Sequence, residues 1–381
     1  MAEACVVHLI TKLELGGAQR NTLLTVEKLP GYGFPAQIWY GPGGLLTPQA
    51  EKLPLHRQIT HLQRSLHPLK DRAALRELVD SLRQIKPAIL HTHSSKAGFL
   101  GRLAASRCRL PVVIHSVHGF PFSPLQPFPQ RRMLIQAEKM AARWTSHFIF
   151  VSRADRQTAV RMGLCRENHS LIRSGFELAP FYPRPEQRKA VRSRFQIGDN
   201  AIVIGIVAPF KPQKNLFQMV EVAKMVCAHA PEAVFFLAGD GALRSRLEDA
   251  VRRAGLHDRF RMPGFLQDLS TVMDGFDLGL STALWEGLPQ SLVQMRLKNL
   301  PVVASSIPGN SEVIRHGENG FLAAAQNTAE YARHLLHLVR KPELREKLGQ
   351  AREDFSSWDA EHMIRSQARL YDQLLGATTR P

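Results

Sequence analysis

The fold is indicated most clearly by the stretch Ser281-Thr-Ala-Leu-Trp-Glu-Gly-Leu-Pro-Gln-Ser-Leu-Val-Gln294, which is followed by Pro301-Val-Val-Ala-Ser305. An acidic residue, Glu286, stands in a turn with Gly287 and Pro289, between a strand-like segment and an apolar, helix-like run. Gly287 lets the backbone approach a ligand closely, and the N–H groups that open the next helix favour an anion. A carboxylate for hydroxyl groups beside amides for phosphates is what a sugar-nucleotide site requires.

Short apolar runs alternate with longer amphipathic stretches along the whole chain, which is typical of parallel βαβ units. The predicted strands are Cys5–Ile10, Ala36–Tyr40, Ala88–His91, Val112–Ser116, Phe148–Ser152, Ala201–Val207, Ala233–Ala238, Arg259–Met262, Leu278–Ser281 and Pro301–Ala304. The predicted helices between the first five strands are Gln19–Lys28, Ala73–Gln84, Lys96–Ser106 and Arg131–Thr145. We therefore predict an α/β protein with two Rossmann-like parallel-sheet domains that face each other across a cleft.

The length of 381 residues favours two domains over a single core. The Pro-rich segment Ala179–Glu186 cannot continue a helix or a central strand, so we place the boundary there. The last segment, Trp358–Leu375, carries apolar residues at a helical period. The predicted domains are an N-terminal domain over 1–180, a linker over 181–198, a C-terminal domain over 199–355 and a terminal helix within 356–381.

Composition restricts the class of protein further. A hydrophobic content of 44% fits a globular chain, and no apolar run reaches the roughly 18 residues that a membrane span needs. The N-terminus has an acidic residue and enters a strand at once, which is unlike a signal peptide. Four widely spaced cysteines without a CxxC motif indicate reduced thiols and a cytoplasmic location.

The positive charge of the chain lies mostly in its first half. The net charge is +17, and residues 1–180 hold 24 Lys and Arg against 11 Asp and Glu. Such an excess suits nucleic acid, an anionic membrane face or a polyanionic substrate, or it is simply a solvated surface. No zinc-finger spacing or RNP-like strand accompanies it, so nucleic acid is the weakest partner. A peripheral membrane surface fits better. The aromatic residues of the Pro/Phe loop Gly119–Phe128 either contact a lipid interface as well or pack under a lid.

Three further constellations carry candidate chemistry. Gly16 and Gly17 open a helix, as in a phosphate-binding turn, although the pattern is not GxGxxG and also suits an ordinary turn. The loop Ala208–Asn215 carries two lysines, which are either anion ligands or solvated cations. Two histidine pairs, in His91–Lys96 and His115–Phe120, follow strands without a carboxylate partner. That pattern favours core or substrate-facing histidines over a metal site, and we expect no metal.

These motifs, in this order from Ile10 to about Tyr371, resemble the retaining GT-B glycosyltransferases of the large family usually numbered four, which act in bacterial polysaccharide, lipopolysaccharide and lipid glycosylation. Glu286 falls on the first glutamate of that family's E-x7-E pattern, but the second is replaced by Gln294. An amide can still accept from a ribose hydroxyl, without the charge-assisted part of the bond. In the family's Arg…Lys loop, Lys214 matches the lysine, while Pro209 stands where the arginine is expected.

The resemblance implies that 1–180 form the acceptor-side domain, that 199–355 bind the nucleotide sugar and that the helix within 356–381 crosses back to the N-terminal domain. It also implies a role for each matching residue. Lys211 would substitute for the arginine and act with Lys214 on the donor diphosphate, as a looser clamp than a bidentate guanidinium. Catalysis would rest on Glu286 at the donor-sugar hydroxyls and on His118 over the reacting centre. The remaining donor-site candidates are Gly16, Gly17, Phe265, Gly287, Leu288, Pro289 and Gln294, and the acceptor-side candidates are His93, Ser94, Ser95 and Lys96.

The predicted activity is therefore transfer of a hexose, with retention, from a nucleoside-diphosphate sugar such as a UDP-sugar to a glycan or lipid-linked acceptor. No DxD motif is present, so we expect a metal-independent enzyme without a cofactor, in which the leaving phosphate oxygen deprotonates the acceptor. Alternatives are a GT-B nucleotide-sugar epimerase, which would consume the donor without an acceptor, and a non-catalytic relative, which Gln294 and Pro209 would suit. A phosphorylase would need a pyridoxal-phosphate lysine, for which the sequence carries no signal.

Overall fold

The computed structural model describes residues 5–122 and 126–378. The chain forms two compact units. Unit 1 comprises Met1–Phe176 together with Ser356–Pro381, and unit 2 comprises Glu177–Phe355. None of the described helices is both long enough and apolar enough to cross a membrane.

Unit 1 begins with seven parallel strands and the helices between them. Its strands are β1 (Val6–Ile10), β2 (Ala36–Tyr40), β3 (His56–Gln58), β4 (Ile89–His93), β5 (Val112–Val117), β6 (His147–Phe150) and β7 (His169–Leu171). Its helices up to residue 176 are α1 (Gly17–Lys28), α2 (Thr47–Ala50), α3 (Pro68–Ile85), α4 (Ser95–Cys108), α5 (Phe128–Ala142) and α6 (Arg153–Arg161).

Unit 2 repeats the same alternation around six parallel strands, before the chain returns to unit 1. Its strands are β8 (Ile202–Val207), β9 (Ala233–Ala238), β10 (Phe260–Gly264), β11 (Leu278–Ser281), β12 (Val302–Ser305) and β13 (Gly320–Ala323). Its helices are α7 (Arg188–Arg194), α8 (Leu216–Cys227), α9 (Arg244–Arg253), α10 (Leu269–Val272), α11 (Gln290–Leu297), α12 (Pro308–Ser311), α13 (Thr328–Arg340) and α14 (Pro342–Gly349), and the last helix, in unit 1, is α15 (Ala360–Thr378). Short 3₁₀ turns lie at Leu29–Tyr32, Ala179–Phe181, Pro185–Gln187, Pro212–Lys214, His257–Arg259, Met273–Gly275 and Ser356–Trp358.

The sheet of unit 1 is buried on both faces. Its order is β3-β2-β1-β4-β5-β6-β7, with every neighbouring pair parallel. One face packs against α1 and α15, where Tyr371 is fully buried, and the other packs against α3 and α4. Because both faces are covered, the central strands are almost entirely apolar or carry hydrogen-bonded histidines.

The sheet of unit 2 has the order β10-β9-β8-β11-β12-β13, again parallel throughout. Gly205 in β8 leaves room for the ring of Phe276, since a Cβ there would lie 2.0 Å from a ring carbon. The main core of the unit packs α8, α9 and α13 over the strands.

The two sheets confirm the predicted fold class, and each of the ten predicted strands overlaps a strand of the structure. The strands that the sequence analysis missed are β3, β7 and β13, and each of them is the edge strand of its sheet. Edge strands are short and partly exposed, so they lack the continuous apolar run that marks a buried parallel strand.

Residues 181–198, which the sequence predicts to be a linker, form part of unit 2. Arg192 on α7 is buried and donates to Asp277 Oδ2 at 2.7 Å, while Arg188 donates to Oδ1 at 2.5 Å. Asp277 Oδ2 also accepts from the backbone N–H of Val203 at 2.7 Å. One carboxylate thus attaches α7 to β8 and to the start of β11, and its removal would leave a buried guanidinium without its counter-charge.

We expect Asp277→Ala to destabilise unit 2 by about 3–5 kcal/mol, because breaking a buried ion pair strands the remaining charge. The measurement is urea unfolding of the whole chain, followed by a probe in each unit since two units need not unfold in one step. The matched control is Asp249→Ala, whose ion pair with Arg252 is exposed and should contribute less than about 1 kcal/mol. Equal effects of the two substitutions would contradict this assignment.

Candidate functional site

The order of strands in unit 2 determines where its site lies. The chain moves outward from β8 through β9 to β10 and then returns to β11 on the other side of β8. In an open parallel sheet, the loops at such a reversal diverge and leave a crevice outside the carboxyl ends of the strands. The two loops at this point are 208–215, after β8, and 282–289, after β11. Both loops carry motifs that the sequence marks as candidate donor-site segments.

Lys214 and Glu286 meet at this reversal as an ion pair. The Lys214 ammonium donates to Glu286 Oε1, with 16% and 10% of the two side chains exposed. Gln213 donates from Nε2 to Glu286 Oε2 at 3.4 Å and to the Trp285 carbonyl at 2.7 Å. The carboxylate is therefore oriented through both of its oxygens, next to a cation that it partly shields from solvent.

The backbones of the two loops are also tied together. The N–H of Leu284 donates to the Gln213 carbonyl at 2.9 Å. The buried Thr282 hydroxyl donates to the carbonyls of Lys214 at 3.0 Å and Asn215 at 3.2 Å. These bonds fix the positions from which Lys214 and Glu286 extend. Neither Gln213 nor Thr282 was predicted from the sequence, because the bonds join residues about 70 positions apart.

A third loop, after β12, closes against the Glu286 turn. A Cβ at Gly309 would lie 2.6 Å from the Glu286 carbonyl oxygen and 3.0 Å from that of Gly287, so the position requires glycine. Asn310 is fully buried and donates to the Ser305 carbonyl at 3.0 Å and to its hydroxyl at 2.9 Å. The sequence predicts that Gly287 lets the backbone approach a ligand; the close approach in the structure is that of Gly309 to the backbone of Glu286 and Gly287.

The loop after β9 brings a further cation to Phe210. Gly241 has φ +155° and a Cβ there would lie 2.8 Å from the Phe210 carbonyl oxygen. Arg244 lies over the Phe210 ring at 5.4 Å and forms ion pairs with Asp240 and Glu248. From the sequence, Lys211 is the predicted cation next to Pro209. The structure places a second cation, the Arg244 guanidinium, at the neighbouring loop.

The other predicted donor-site residues of unit 2 lie on the same strand ends or on the following helix. Phe265 directly follows β10 and is 42% exposed. Leu288 is half-buried and Pro289 is buried immediately before α11, and Gln294 lies half-buried on that helix. Lys211 is half-buried, and its backbone N–H donates to the Pro209 carbonyl at 2.8 Å.

In unit 1 the strand order reverses between β1 and β4, and polar residues lie at that point as well. The Thr11 hydroxyl lies 2.7 Å from the Ser94 hydroxyl, and Ser94 Oγ accepts from the Thr11 N–H at 3.1 Å. Ser94 has φ +64° and ψ +155°, which is a strained backbone region for a residue with a Cβ. Backbone strain of this kind is concentrated at functional sites, so the carboxyl end of β4 is a candidate functional site.

The predicted N-terminal site residues occupy different surroundings. Gly16 and Gly17 begin α1 with extended backbone at Gly16, a conformation that any residue can adopt. Lys96 is paired with Asp71 and donates to the Ser65 carbonyl at 3.1 Å. Ser95 is half-buried at the first position of α4, while His93 is 2% exposed. The loop Gly119–Phe128 includes 123–125, which lie outside the described residues.

A cluster of buried histidines lies next to the carboxyl ends of the unit 1 strands. His8 Nδ1 lies 3.0 Å from His93 Nε2, and His93 Nδ1 lies 3.1 Å from His118 Nε2. His118 Nδ1 is 3.3 Å from the Ser174 hydroxyl. His91 is held separately, by the hydroxyls of Tyr371 at 2.6 Å and Ser116 at 2.7 Å.

The nitrogens of His8, His91 and His93 lie within 4.8 Å of one another, which is close enough to consider a shared metal ion. Five of these six nitrogens already take part in hydrogen bonds, and His8 Nε2 is the exception within the described part of the chain. A divalent ion would have to break several of these bonds and stay buried without a carboxylate in this trio. The donor set therefore fits a metal poorly, and metal independence stays a prediction.

Burial keeps these rings neutral. It lowers the pKa of His8 to about 3 and that of His118 to about 4. Burial, followed by the neighbouring charges of other histidines, also holds the pKa of His91 and His93 well below the usual range. The pKa of His115 is lowered in the same way by burial and then by Arg102. The neutral rings can hydrogen bond, but they do not supply charge at neutral pH.

Comparison with known proteins identifies the class. Residues 187–355 match the family described as "Glycosyl transferases group 1", and residues 16–175 match the "Glycosyl transferase 4-like domain". The solved structure of Anabaena Alr3699/HepE with UDP and glucose aligns with a TM-score of 0.83 and 19% identity, over 97% of this chain and all of that one. WaaG, a glycosyltransferase of lipopolysaccharide biosynthesis, aligns at 0.75 and 15% over 98% of both chains. The two parallel sheets thus form a GT-B fold.

Similarity at the level of sequence points to the same family. The chain is 27% identical to the Escherichia coli UDP-Gal:alpha-D-GlcNAc-diphosphoundecaprenol alpha-1,3-galactosyltransferase, over 88% of this chain and 87% of that protein. It is 26% identical to the putative glycosyltransferase EpsD of Bacillus subtilis, over 76% and 77%. The two family matches and these relatives together support a group 1 glycosyltransferase.

The neutral histidines predict that unit 1 is sensitive to acid. Their pKa values lie below 6.5 in the folded chain and near 6.5 in the unfolded chain, so the unfolded chain binds more protons between these limits. Their stabilising effect is complete above about pH 6.5 and falls as the pH drops towards about 4. Each histidine that is neutral only when folded should cost about 1.4 kcal/mol per pH unit.

The measurement is the urea midpoint of unit 1 at pH 7.5, 6 and 5, a window in which most carboxylates stay ionised. His257, which is 70% exposed, supplies the matched control. His257→Gln should leave the pH dependence unchanged, whereas a midpoint that stays constant from pH 7.5 to 5 in the wild type would show that the buried rings are not neutral.

Proposed function

We propose that this glycosyltransferase transfers a hexose from a nucleoside-diphosphate sugar to a glycan or lipid-linked acceptor, with retention of configuration and without a metal ion. The observation that carries the proposal is the Lys214–Glu286 pair at the strand reversal of unit 2. A cation for phosphate and a carboxylate for hydroxyls lie side by side there, which is the combination that a sugar attached to a diphosphate needs.

Lys214 acts on the diphosphate in this proposal, with Lys211 on the same loop as a second cation. Glu286 accepts hydrogen bonds from the donor-sugar hydroxyls, and Gln294 on α11 takes the ribose. Before a donor binds, Glu286 holds the Lys214 ammonium at the loop junction, and Gln213 donates to the other carboxylate oxygen of Glu286. A bound diphosphate then competes with Glu286 for that ammonium, and the freed carboxylate oxygen becomes available for the sugar.

The absence of a dedicated metal follows from how the leaving group is stabilised in this scheme. Negative charge develops on the departing diphosphate, and fixed cations and backbone N–H groups can stabilise it electrostatically. The lysines of 208–215 and the start of α11 supply such groups. The phosphate oxygen that leaves on the same face takes the proton of the acceptor, so retention needs no side-chain base.

The nucleotide and acceptor are proposed from the relatives. HepE was solved with UDP and glucose, and the Escherichia coli relative acts on a UDP-galactose donor and a diphosphoundecaprenol-linked acceptor. A UDP-hexose and a lipid-linked diphosphate are therefore the first substrates to test here. A lipid-linked acceptor also requires the enzyme to work at a membrane surface.

Helix α5 has the surface that such an acceptor would require. Its exposed face carries Arg132, Met133, Lys139 and Met140, and Phe128 at its start is 72% exposed. Cations beside exposed apolar side chains on one helical face are typical of a helix that rests on anionic lipid. We propose this face as the membrane contact, in keeping with the positive charge of residues 1–180.

We expect Lys214→Ala to weaken UDP and UDP-hexose binding together, by about 1.5–3 kcal/mol or roughly 10- to 150-fold in Kd. Lys211→Ala should behave similarly if it replaces the missing arginine. The measurement is calorimetric titration of the full chain, combined with donor turnover in the presence of EDTA. Lys224→Ala on the exposed side of α8 is the matched control and should leave Kd unchanged.

Glu286→Gln distinguishes the proposed role of Glu286 at the sugar hydroxyls from that of Lys214 at the diphosphate. It removes a negative charge near the diphosphate, so UDP should bind at least as well, while the preference for UDP-hexose over UDP should fall. Loss of UDP binding in Glu286→Gln, or unaltered binding in Lys214→Ala, would remove the basis of the proposed donor site.

Membrane binding predicts that vesicles with anionic lipid sediment the protein at low salt and release it at high salt. Replacing Arg132 and Lys139 by Glu should lower the partition coefficient at least about 30-fold, since each cation contributes roughly 1 kcal/mol. Arg252→Glu with Arg253→Glu, two exposed positions at the end of α9 in unit 2, is the control of equal charge. Equal loss in both double variants would mean that overall charge, and not α5, drives binding.

A further inference from the structure

A row of four hydrogen-bonded side chains, His8–His93–His118–Ser174, runs through unit 1 towards the carboxyl ends of its strands. His8 lies inside β1, in register with His91 of β4. His93 ends β4 in register with Ser116, and His118 follows two residues later, directly after β5. The row therefore begins in the interior of the sheet and ends at the edge where open parallel sheets bind their ligands.

The protonation pattern of this row is restricted by its hydrogen bonds. A neutral imidazole has one N–H donor and one acceptor nitrogen, so successive rings must all donate in the same direction. If the rings donate towards Ser174, each of the three carries its proton on Nδ1 and His8 Nε2 is a bare acceptor. If they donate towards His8, each carries its proton on Nε2, and a buried N–H of His8 has no acceptor.

The inner end of the row decides between these two patterns. His8 is fully buried, and its Nε2 has no hydrogen-bond partner among the described residues. Buried N–H groups without an acceptor are rarer than acceptors without a donor. The first pattern is therefore favoured, with all N–H bonds directed towards the carboxyl edge of the sheet.

The geometry points to His93 and His8 as positioning residues that hold His118 in its Nδ1–H tautomer, with that N–H directed at Ser174. The inference rests on the proposed function, because it assigns the way in which His118 serves the transfer reaction. Both ring nitrogens of His118 are occupied by His93 and Ser174. His118 then contributes to a bound sugar as an oriented dipole and a packing surface, not as a proton donor or acceptor.

The three histidines carry no net charge, but their summed dipole can interact with a charged group. Three imidazoles that donate in one direction have dipoles that add, with the positive end at the strand edge. Fixed dipoles of this kind stabilise negative charge near the carboxyl edge of the unit 1 sheet without reorganising. A protonated histidine there would instead have a large desolvation cost.

A second set of bonds holds the row in place from the side. The His91 ring lies 4.3 Å from the His93 ring between centroids. The Tyr371 hydroxyl donates to Gln367 Oε1 at 3.3 Å, so it accepts from His91 Nδ1. Helix α15 thereby supplies two residues that orient His91 and, through it, His93.

The first test reads the tautomers directly in the wild-type chain. Nitrogen-15 spectra of histidine side chains at pH 7, assigned by single substitutions, should show His8, His93 and His118 as Nδ1–H. Free histidine in water favours the other tautomer, so the expected pattern does not arise by default. An Nε2–H signal for His118 would overturn the inference, whatever the enzyme does.

The second test uses His93→Phe, which keeps a ring but removes both nitrogens, and His93→Gln, which retains a donor and an acceptor. His93→Phe should lower kcat about 10- to 100-fold with KM for the donor nearly unchanged, and His118 should lose its single tautomer. His93→Gln should recover part of kcat. The matched control is His147→Gln, a buried strand histidine bonded to Ser170 at 2.9 Å and outside the row.

The outcomes separate this inference from the proposed function. If no UDP-hexose is turned over but the wild-type tautomers are as expected, the proposed function fails while the arrangement of the row stands. If a folded His93→Phe variant retains full kcat, the positioning role is wrong and the donor site of unit 2 is unaffected. Should His93→Phe not fold, the spectra of the wild type still decide the tautomer.

Discussion

The site of unit 2 depends on one constraint of topology, the reversal of strand order at β8 and β11. Parallel strands need crossover helices, so neighbouring loops at one edge of the sheet normally run in the same direction around it. At the reversal they run in opposite directions and leave room for a ligand. Lys214 and Glu286 lie 72 positions apart and meet because their loops leave the sheet at this point. The same constraint in unit 1 brings the ends of β1 and β4 together.

The two units place polar groups at their strand edges in different ways. Unit 2 uses formal charges, a lysine and a carboxylate that neutralise each other and are therefore tolerated with little exposure. Unit 1 uses histidines that burial keeps neutral, which satisfy one another by hydrogen bonds inside a sheet covered on both faces. A formal charge can attract an anion, whereas aligned neutral dipoles can present a positive end without the desolvation cost of a buried ion.

Much of the fold follows from the sequence because a buried parallel strand has a local signature, a short apolar run between amphipathic helices. Strands such as β2, β9 and β11 were predicted with their exact bounds. The edge strands β3, β7 and β13 were missed because partial exposure removes that signature. The proposed site residues Lys214 and Glu286 were found from motifs within their loops, whereas Gln213 and Thr282 had no local signal, since their partners lie about 70 residues away.

By itself, the sequence determined the class of fold, the family and the residue types available at the strand ends, because periodicity and motif spacing are local properties of a chain. Only the tertiary structure decided which of those residues touch. It paired Lys96 with Asp71, placed 181–198 within unit 2 and joined His8, His93 and His118 into one hydrogen-bonded row. The physical reason is that hydrogen bonds and ion pairs act over about 3 Å, and side chains distant in the sequence come that close only once the sheet has formed.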